Sequence, residues 1–263
     1  MRTYPPHHTF GLLGFPLGHS FSARYFAEKF AREGIAAEYL NFECASLVDF
    51  RSRMEGEYPH LRGFNVTIPH KQAIMPLLDD LAPEAAAIGA VNVVCVEHRV
   101  DGSTRWVGHN SDYIGFERSL RPLLQPCDTD ALVLGTGGAS KAVLYSLSRL
   151  GISAHPVSRN RREGVMAYED LTPEIMQRCS VVINCTPLGM SPRMDACPAL
   201  PYELLGPQHL LYDLVYNPAE TLFLRKGSER GARTKNGAEM LERQALAAWE
   251  MWCAGTPILN NQP

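Results

Sequence analysis

The sequence contains no apolar run that approaches the roughly 20 residues a transmembrane helix requires. It also lacks a strong excess of charge of either sign, since its 263 residues carry a formal net charge of −3. A chain of this kind has no bulk attraction to nucleic-acid phosphates or to an anionic membrane surface. These absences predict a soluble protein that binds a small molecule and has no nucleic-acid or membrane partner.

Patterns typical of disulfide frameworks and metal sites are absent as well. The seven cysteines are odd in number and include no Cys-x-x-Cys pair, and the nine histidines include no His-x-x-x-His spacing. Secreted disulfide-rich domains and structural zinc sites depend on such spacings, and no signal peptide is recognisable. We therefore expect a cytoplasmic protein with inert thiols and no metal.

The chain does have two successive sets of alternating strand and helix patterns. Its length fits two domains of ordinary size better than one large domain. In the first set, the patterns predict strands at 10–15, 37–42, 63–68 and 91–96 and helices at 21–33, 46–55, 70–78 and 83–88. In the second set, they predict strands at 131–135, 152–157 and 180–185 and helices near 138–150 and 171–178. A piece rich in Pro, Cys and Asp at 121–130 separates the two sets, so the sequence predicts an α/β fold in two domains.

A glycine-rich turn opens the second set. The stretch VLGTGGASKAV places Gly135, Gly137 and Gly138 after an apolar strand and before a helical pattern. Glycines there allow a tight turn and let backbone N–H groups approach a pyrophosphate at the helix N-terminus. Because Ser140 replaces the third glycine of G-x-G-x-x-G, a strand-to-helix turn without a ligand is the alternative.

The end of the next strand bears on the choice of cofactor. The stretch PVSRNRREG supplies Arg159, Arg161 and Arg162 before its first acidic residue, Glu163. NAD sites commonly end this strand with an acid for the ribose 2′-hydroxyl, whereas NADP sites supply arginine for the 2′-phosphate. The sequence therefore favours NADP, although a solvated basic loop would have the same composition.

Polar residues in the first half lie where strands and helices end or begin. GFNVTIPHK places Asn65 and Thr67 on one side of a strand by their spacing of two, with Lys71 shortly after. Asn92 lies at the start of another strand and Asp112 near a helix start. Each has a structural explanation by itself, such as a surface cation or a helix-capping acid. Together they predict a cleft lined by polar groups.

Two further features have more than one interpretation. The stretch GHSFS resembles a nucleophile elbow with Ser20 as the nucleophile, but Ser22 replaces its second glycine. In the last predicted helix, at 236–254, Gln244 falls within a stripe of apolar residues spaced three or four apart. It is either a boundary residue at the edge of the stripe or an amide directed into a cleft.

Several motifs together resemble the shikimate dehydrogenase family over nearly the whole chain. They are, in order, GHSFS, NVTIPHK, GAVN, GHNSDYIG, LGTGGASKA, INCTPLGM, VYNP and NGAEMLERQA. The resemblance implies an α/β substrate domain formed by residues 1–120 and 236–263. It also implies a Rossmann-like NADP-binding domain formed by residues 121–235.

The resemblance further implies roles for individual residues. Lys71 and Asp112 match the catalytic pair, and we favour Lys71 as the group that exchanges the proton. The residues that match substrate-binding positions are Ser20, Ser22, Asn65, Thr67, Asn92, Tyr216 and Gln244, of which the two serines hold the substrate carboxylate. The residues that match NADP-binding positions are Gly135, Thr136, Gly137, Gly138, Ala139, Ser158, Arg159, Asn160, Arg161, Thr186, Val215 and Gly237.

The implied function is the reversible NADPH-dependent reduction of 3-dehydroshikimate to shikimate, in aromatic amino-acid biosynthesis, by a monomer or homodimer. Three other functions are alternatives to it. A serine hydrolase would need the missing elbow glycine, and a non-catalytic sensor of the same fold would lose the Lys/Asp pair. An NAD-dependent quinate dehydrogenase is the nearest alternative, and an acid in place of Arg159 would distinguish it.

Overall fold

A computed structural model describes residues 8–18 and 21–254 of the chain. The chain divides into two compact units. The first unit contains the chain up to Ser111 and again from Ala245 onward, and the second unit is Asp112–Gln244. No helix of the described part is long and apolar enough to cross a membrane.

The first unit is built on a six-stranded mixed sheet with the order β2-β1-β3-β5-β6-β4. Its strands are β1 (His8–Gly14), β2 (Ala37–Glu43), β3 (Leu61–Val66), β4 (Asp80–Leu81), β5 (Val93–His98) and β6 (Thr104–His109). Strand β1 pairs in parallel with β2 and β3, whereas β5 pairs antiparallel with β3 and β6. The carboxyl end of β3 therefore lies beside the start of β5, where several of the predicted site residues are found.

Three helices belong to the first unit. They are α1 (Phe21–Glu33), α2 (Phe50–Glu57) and α3 (Pro83–Ile88). The helix predicted over 70–78 is wrong, because this stretch forms turns followed by a 3₁₀ helix at Met75–Leu77. Pro76 accounts for the difference, since it lies inside this stretch and lacks the N–H that an α-helix interior would use.

An aromatic cluster packs on one side of the first sheet. Its main members are Phe10, Phe26, Phe30, Trp249 and Trp252. The Trp252 indole N–H donates to the Val94 carbonyl at 3.1 Å, so the last helix is attached to the sheet by a hydrogen bond as well as by burial. Close packing explains a glycine in β3, because a Cβ at Gly63 would lie 2.3 Å from Trp252 Nε1.

The second unit is built on a six-stranded sheet in which every pairing is parallel. Its strands are β7 (Asp130–Leu134), β8 (Ser153–Ser158), β9 (Met166–Ala167), β10 (Val181–Asn184), β11 (Leu210–Asp213) and β12 (Arg233–Lys235). Their order is β12-β11-β10-β7-β8-β9, so the chain starts in the middle of the sheet and reverses direction between β7 and β10. This is the order of a Rossmann fold, and it confirms the predicted α/β class.

Helices cover both faces of the second sheet. The helices of this unit are α4 (Asp112–Leu120), α5 (Gly138–Arg149), α6 (Pro173–Arg178), α7 (Leu222–Ser228) and the first part of α8 (Ala238–Cys253), whose residues from Ala245 onward belong to the first unit. Successive residues of β7 enter opposite cores, with Ala131 and Val133 in one and Leu132 and Leu134 in the other. Because β7 is buried on both faces, its successive residues are all apolar from Ala131 to Leu134, which explains the continuous apolar run in the sequence.

The division of the chain precedes α4, whereas the predicted ranges 1–120 and 121–235 place this helix in the first domain. Within the second unit, α4 packs against α5, where Ser146 Oγ donates to the Tyr113 carbonyl at 3.0 Å. Phe116 also contacts Tyr212 edge to face. Which of the two segments binds substrate and which binds NADP stays a prediction.

Candidate active site

A chain of hydrogen bonds, buried except for its first bond, runs from β2 to the carboxyl end of β3 and on to the residues after β6. The Tyr39 hydroxyl donates to Asn65 Oδ1 at 2.8 Å, and Asn65 Nδ2 donates to the Asn92 carbonyl at 3.3 Å. Asn92 Nδ2 then donates to Ser111 Oγ at 3.0 Å. Both asparagines are buried. The structure thus brings together two of the predicted substrate-binding residues, Asn65 and Asn92.

Tyr39 is a residue of this chain that the sequence analysis missed. Its ring stacks on Phe26 at a centroid distance of 4.8 Å, and burial raises the pKa of its hydroxyl, an effect that a hydrogen bond with Ser22 partly offsets. Ser22, the second residue of α1, is therefore connected through Tyr39 to Asn65. A tyrosine in an alternating strand carries no signal that distinguishes this position from an ordinary strand residue.

Thr67, another predicted substrate-binding residue of the first unit, lies at the carboxyl end of β3. Thr67 follows β3 directly, and its N–H donates to the Leu13 carbonyl at 2.8 Å. A Cβ at Gly14 would lie 2.5 Å from Thr67 Cγ2, so glycine lets the two strand ends approach closely. Ser20 lies outside the described residues.

The segment 90–92 forms hydrogen bonds with Lys71 and with the two residues that precede Asp112. The Val91 N–H donates to the Lys71 carbonyl at 2.7 Å. The Ser111 N–H donates to Asn92 Oδ1 at 2.6 Å, and Asn110 Nδ2 donates to the Ala90 carbonyl at 2.9 Å. One short segment therefore contacts both the Lys71 backbone and the residue directly before Asp112.

The side chains of the predicted pair differ in burial. Lys71 is half-buried. Asp112 is buried and forms the first residue of α4, where the positive end of the helix dipole favours a carboxylate. Close by in sequence, desolvation lowers the pKa of His109, so this histidine is neutral near pH 7.

The glycine turn of the second unit has a positive φ at Gly135 and open space at Gly137. Gly135 has φ +97°, and a Cβ there would lie 2.9 Å from Thr186 Cγ2. A Cβ at Gly137, by contrast, would meet open space, so that backbone is accessible to a ligand. The first amides of α5, which begins at Gly138, lack intrahelical partners, as at the start of any α-helix.

Ser140 takes the place of the third glycine without blocking the turn. It is buried, and its Oγ donates to the Gly137 carbonyl at 2.7 Å. The side chain is thus folded back onto the turn it belongs to. Thr136 is exposed and Ala139 half-buried, so the turn from 135 to 139 leaves room for a pyrophosphate.

Two arginines after β8, which the sequence did not distinguish, have different surroundings in the structure. Arg161 forms an ion pair with Asp170, whose Oδ2 also accepts from the Ala167 N–H at 2.8 Å. Arg159 is exposed and has no ion pair within residues 8–18 and 21–254. Ser158 Oγ donates to the Asn160 carbonyl at 2.7 Å, which shapes the turn after the strand.

A second network lies at the carboxyl ends of β10 and β11. Asn184 Oδ1 accepts from the Thr186 N–H at 3.0 Å and from its hydroxyl at 2.6 Å. Asp213 Oδ1 accepts from the Val215 N–H at 3.0 Å. The Gly237 N–H donates to the Val215 carbonyl at 3.2 Å. The network therefore brings together three of the residues predicted to contact NADP.

The remaining two predicted substrate-binding residues also belong to the second unit. Tyr216 is 42% exposed and directly follows Val215. Gln244 is buried, and its Nε2 donates to the Leu241 carbonyl at 2.9 Å. A Cβ at Gly115 would lie 2.9 Å from Gln244 Cβ, so α4 approaches α8 closely at this point.

Among the described residues, Asp130, His155 and Cys179 form a cluster of metal-ligating residue types, which the sequence spacing did not reveal. The ligand atoms of Asp130, His155 and Cys179 lie within 4.8 Å of one another. Asp130 Oδ1 already accepts from His155 Nε2 at 2.7 Å and lies 3.6 Å from Arg178 Nε. His155 and Arg178 thus already interact with the Asp130 carboxylate. The expectation that the protein has no metal stays a prediction.

Comparison with known proteins supplies the context for this geometry. A family model described as the shikimate dehydrogenase substrate binding domain matches residues 12–94. The NADP(+) shikimate dehydrogenase of Desulforamulus reducens is 35% identical over 267 residues, covering 94% of this chain and 90% of that protein.

Solved structures extend the similarity to the fold of the whole chain. A shikimate 5-dehydrogenase from Thermus thermophilus, in complex with NADP(H) and shikimate, has 32% identity and a TM-score of 0.80, with 94% of each chain covered. A quinate dehydrogenase from Corynebacterium glutamicum, in complex with NAD, has 26% identity and a TM-score of 0.81, again with 94% of each chain covered.

Proposed function

The chain belongs to the shikimate dehydrogenase family, and we propose that Lys71 and Asp112 form its catalytic pair. It is an NADP-dependent oxidoreductase, and its reaction is the reversible reduction of 3-dehydroshikimate to shikimate, a step of aromatic amino-acid biosynthesis. A cytoplasmic location and a monomeric or homodimeric state belong to the proposal.

Neutral donors and acceptors hold the substrate in this proposal. Ser20 and Ser22 donate hydroxyl hydrogen bonds to the carboxylate, and Asn65, Thr67 and Asn92 bind the ring hydroxyls. The chain of hydrogen bonds from Ser22 to Ser111 supports this assignment, because each buried amide in it has a fixed orientation. Preorganised polar groups bind a polyhydroxylated ring without paying to reorient when it arrives. Tyr216 and Gln244 complete the set.

Lys71 exchanges the proton in this mechanism. Bound NADPH supplies a hydride to the carbonyl carbon of 3-dehydroshikimate. The lysine ammonium donates a proton to the carbonyl oxygen, which becomes the hydroxyl of shikimate, and the neutral amine takes the proton back in the reverse direction. Asp112 favours the ammonium by its charge and orients the same hydroxyl. The anchoring of Lys71 and Ser111 on the segment 90–92 supports this pairing.

The glycine turn and Arg159 hold the cofactor. The amides of residues 135–139 bind the pyrophosphate, and the open space at Gly137 supports that role. Because Asp170 already neutralises Arg161, we assign the 2′-phosphate chiefly to Arg159. The turn formed by Ser158 and Asn160 lies next to it, and Thr186, Val215 and Gly237 face the nicotinamide end.

The observation that carries the proposal is the buried hydrogen-bond chain that ends beside Asp112. A spectrophotometric assay at 340 nm, comparing shikimate and quinate with NADP and NAD, tests it. We expect turnover with shikimate and NADP, and a protein that gives none would refute the proposal. A preference for quinate with NAD would instead favour the second candidate function, for which the similarity to the quinate dehydrogenase is the supporting observation.

A further inference from the structure

Asp213 is a buried carboxylate at the carboxyl end of β11 to which the mechanism above gives no role. We propose that Asp213 is a positioning residue for the nicotinamide end of the cofactor site, acting through Asn184 and the Val215 N–H. The inference rests on the proposed function, which assigns Thr186, Val215 and Gly237 to the cofactor.

Three donors converge on the two oxygens of this carboxylate. Oδ1 accepts from Asn184 Nδ2 at 2.9 Å and from the Val215 N–H at 3.0 Å. Oδ2 accepts from the Thr221 hydroxyl at 2.5 Å. Asn184, Asp213 and Thr221 are all fully buried. The Asn184 amide nitrogen and the Val215 N–H can only donate, so Oδ1 must be an acceptor, whereas the Thr221 hydroxyl at Oδ2 can donate or accept.

Asn184 transmits the orientation of Asp213 to the loop after β10. Since its Nδ2 donates to Asp213, its Oδ1 must face the other way, where it accepts from both the N–H and the hydroxyl of Thr186. Reversing the Asn184 amide would place a donor against the two Thr186 donors. The carboxylate therefore fixes which way Asn184 points and, through it, where Thr186 lies.

The Val215 N–H transmits the same constraint to the loop after β11. The Val215 carbonyl accepts from the Gly237 N–H, and a Cβ at Gly237 would lie 2.1 Å from the Leu214 carbonyl oxygen. Thr221 extends the network further, since its Oγ1 accepts from the Leu224 N–H at the start of α7. Asp213 thus connects three loops at the sheet edge where parallel α/β folds bind dinucleotides.

A purely structural role would predict lower stability and no selective effect on the cofactor. The same unit offers a matched control in Asp128. This buried carboxylate precedes β7, at the amino-terminal end of the strands, whereas Asp213 lies at their carboxyl end. Asp128 accepts from Ser180 Oγ at 2.6 Å, the Gln125 N–H at 2.8 Å and Arg233 Nη2 at 3.2 Å. Both aspartates therefore have three donors.

The experiment measures NADP⁺ affinity directly, by calorimetric titration of the full chain, together with kcat and both KM values. Asp213→Asn keeps one acceptor oxygen and replaces the other by NH₂, so either the Thr221 hydroxyl or the pair of Asn184 Nδ2 and the Val215 N–H loses its acceptor. We expect the Kd and KM of this variant for NADP⁺ to rise about tenfold. Its KM for shikimate should change less than about twofold. Asp128→Asn should lose comparable thermal stability but keep its NADP⁺ affinity within about twofold.

Asn184→Ala is the second variant, because it leaves Asp213 with two of its donors and removes only the connection to Thr186. It should show the same selective weakening of NADP⁺ binding. The proposal is refuted if either folded variant binds NADP⁺ as wild type does, or if Asp128→Asn weakens binding equally. A wild-type protein that binds NADP⁺ without oxidising shikimate would refute the proposed function alone, since the affinities still test Asp213.

Discussion

The hydroxyl of Tyr39 offers a sharp test of the substrate site, because Tyr39→Phe removes one oxygen and leaves the ring in place. The ring stacks on Phe26 at an interplanar angle of 13°, so phenylalanine should keep the same packing. What is lost is the donor to Asn65 Oδ1 at 2.8 Å and the hydrogen bond with Ser22. The substitution therefore isolates the hydrogen-bond chain from the core around it.

The expected magnitude follows from the burial of the bond. A buried acceptor left without its donor costs about 1–3 kcal/mol, and this bond is only partly buried, so we expect the low end, about 1 kcal/mol. If Asn65 must hold its orientation to bind a ring hydroxyl, that energy appears as a KM for shikimate raised about fivefold. The KM for NADP⁺ should stay within about twofold, because the residues proposed to bind the cofactor lie in the other unit.

The measurement is a set of steady-state assays in which each substrate is varied while the other saturates, with circular dichroism to verify folding. Tyr58→Phe is the matched control, since Tyr58 belongs to the same unit and packs on Phe42 at 5.1 Å without belonging to the chain. A Tyr39→Phe enzyme with unchanged KM for shikimate would show that the hydrogen-bond chain is structural. Equal increases in both KM values would contradict the reasoning too.

Three further predictions address the remaining parts of the site. Lys71→Ala should lower kcat by about 100-fold or more with a much smaller change in KM for shikimate, and comparable turnover would remove Lys71 from the chemistry. Arg159→Ala should raise the KM for NADP⁺ about tenfold and leave that for NAD⁺ unchanged, whereas Arg161→Ala should have the smaller effect; the reverse order would refute the assignment. Burial raises the pKa of Asp213 to about 6, so the folded state favours the protonated acid, and this stabilisation is complete below about pH 4 and is lost as the pH rises through 6. In urea unfolding, the free energy of unfolding of Asp213→Asn should therefore fall below that of wild type by about 2 kcal/mol more at pH 4 than at pH 7. A difference between the two proteins that does not depend on pH would contradict this.

The parts of the site that follow local rules were predictable from the sequence. The turn at 135–138 is an example, because a positive φ at Gly135 and a helix starting at Gly138 follow from short-range chemistry. The helix predicted over 70–78 failed for an equally local reason, the proline at 76. The α/β class and the family were identifiable from the alternation of elements and from the ordered motifs.

The residues that the sequence analysis missed act through distant partners. Tyr39 reaches Asn65 across 26 residues, and Asp213 reaches Asn184 across 29. Neither residue stands in a motif whose spacing suggests a role, since a tyrosine in one strand and an aspartate at the end of another are ordinary. Their roles depend on which strands become neighbours in the sheet.

The sequence alone therefore indicated seven of the twelve described strands, the glycine turn, the arginines after β8 and the family. These features depend on backbone conformation and side-chain type within a few residues. Only the tertiary structure decided which arginine Asp170 neutralises, that Tyr39 joins Ser22 to Asn65, and that Asp213 connects the loops of the second unit. The reason is physical: a hydrogen bond between side chains is set by the pairing and register of whole strands, which no short stretch of sequence encodes.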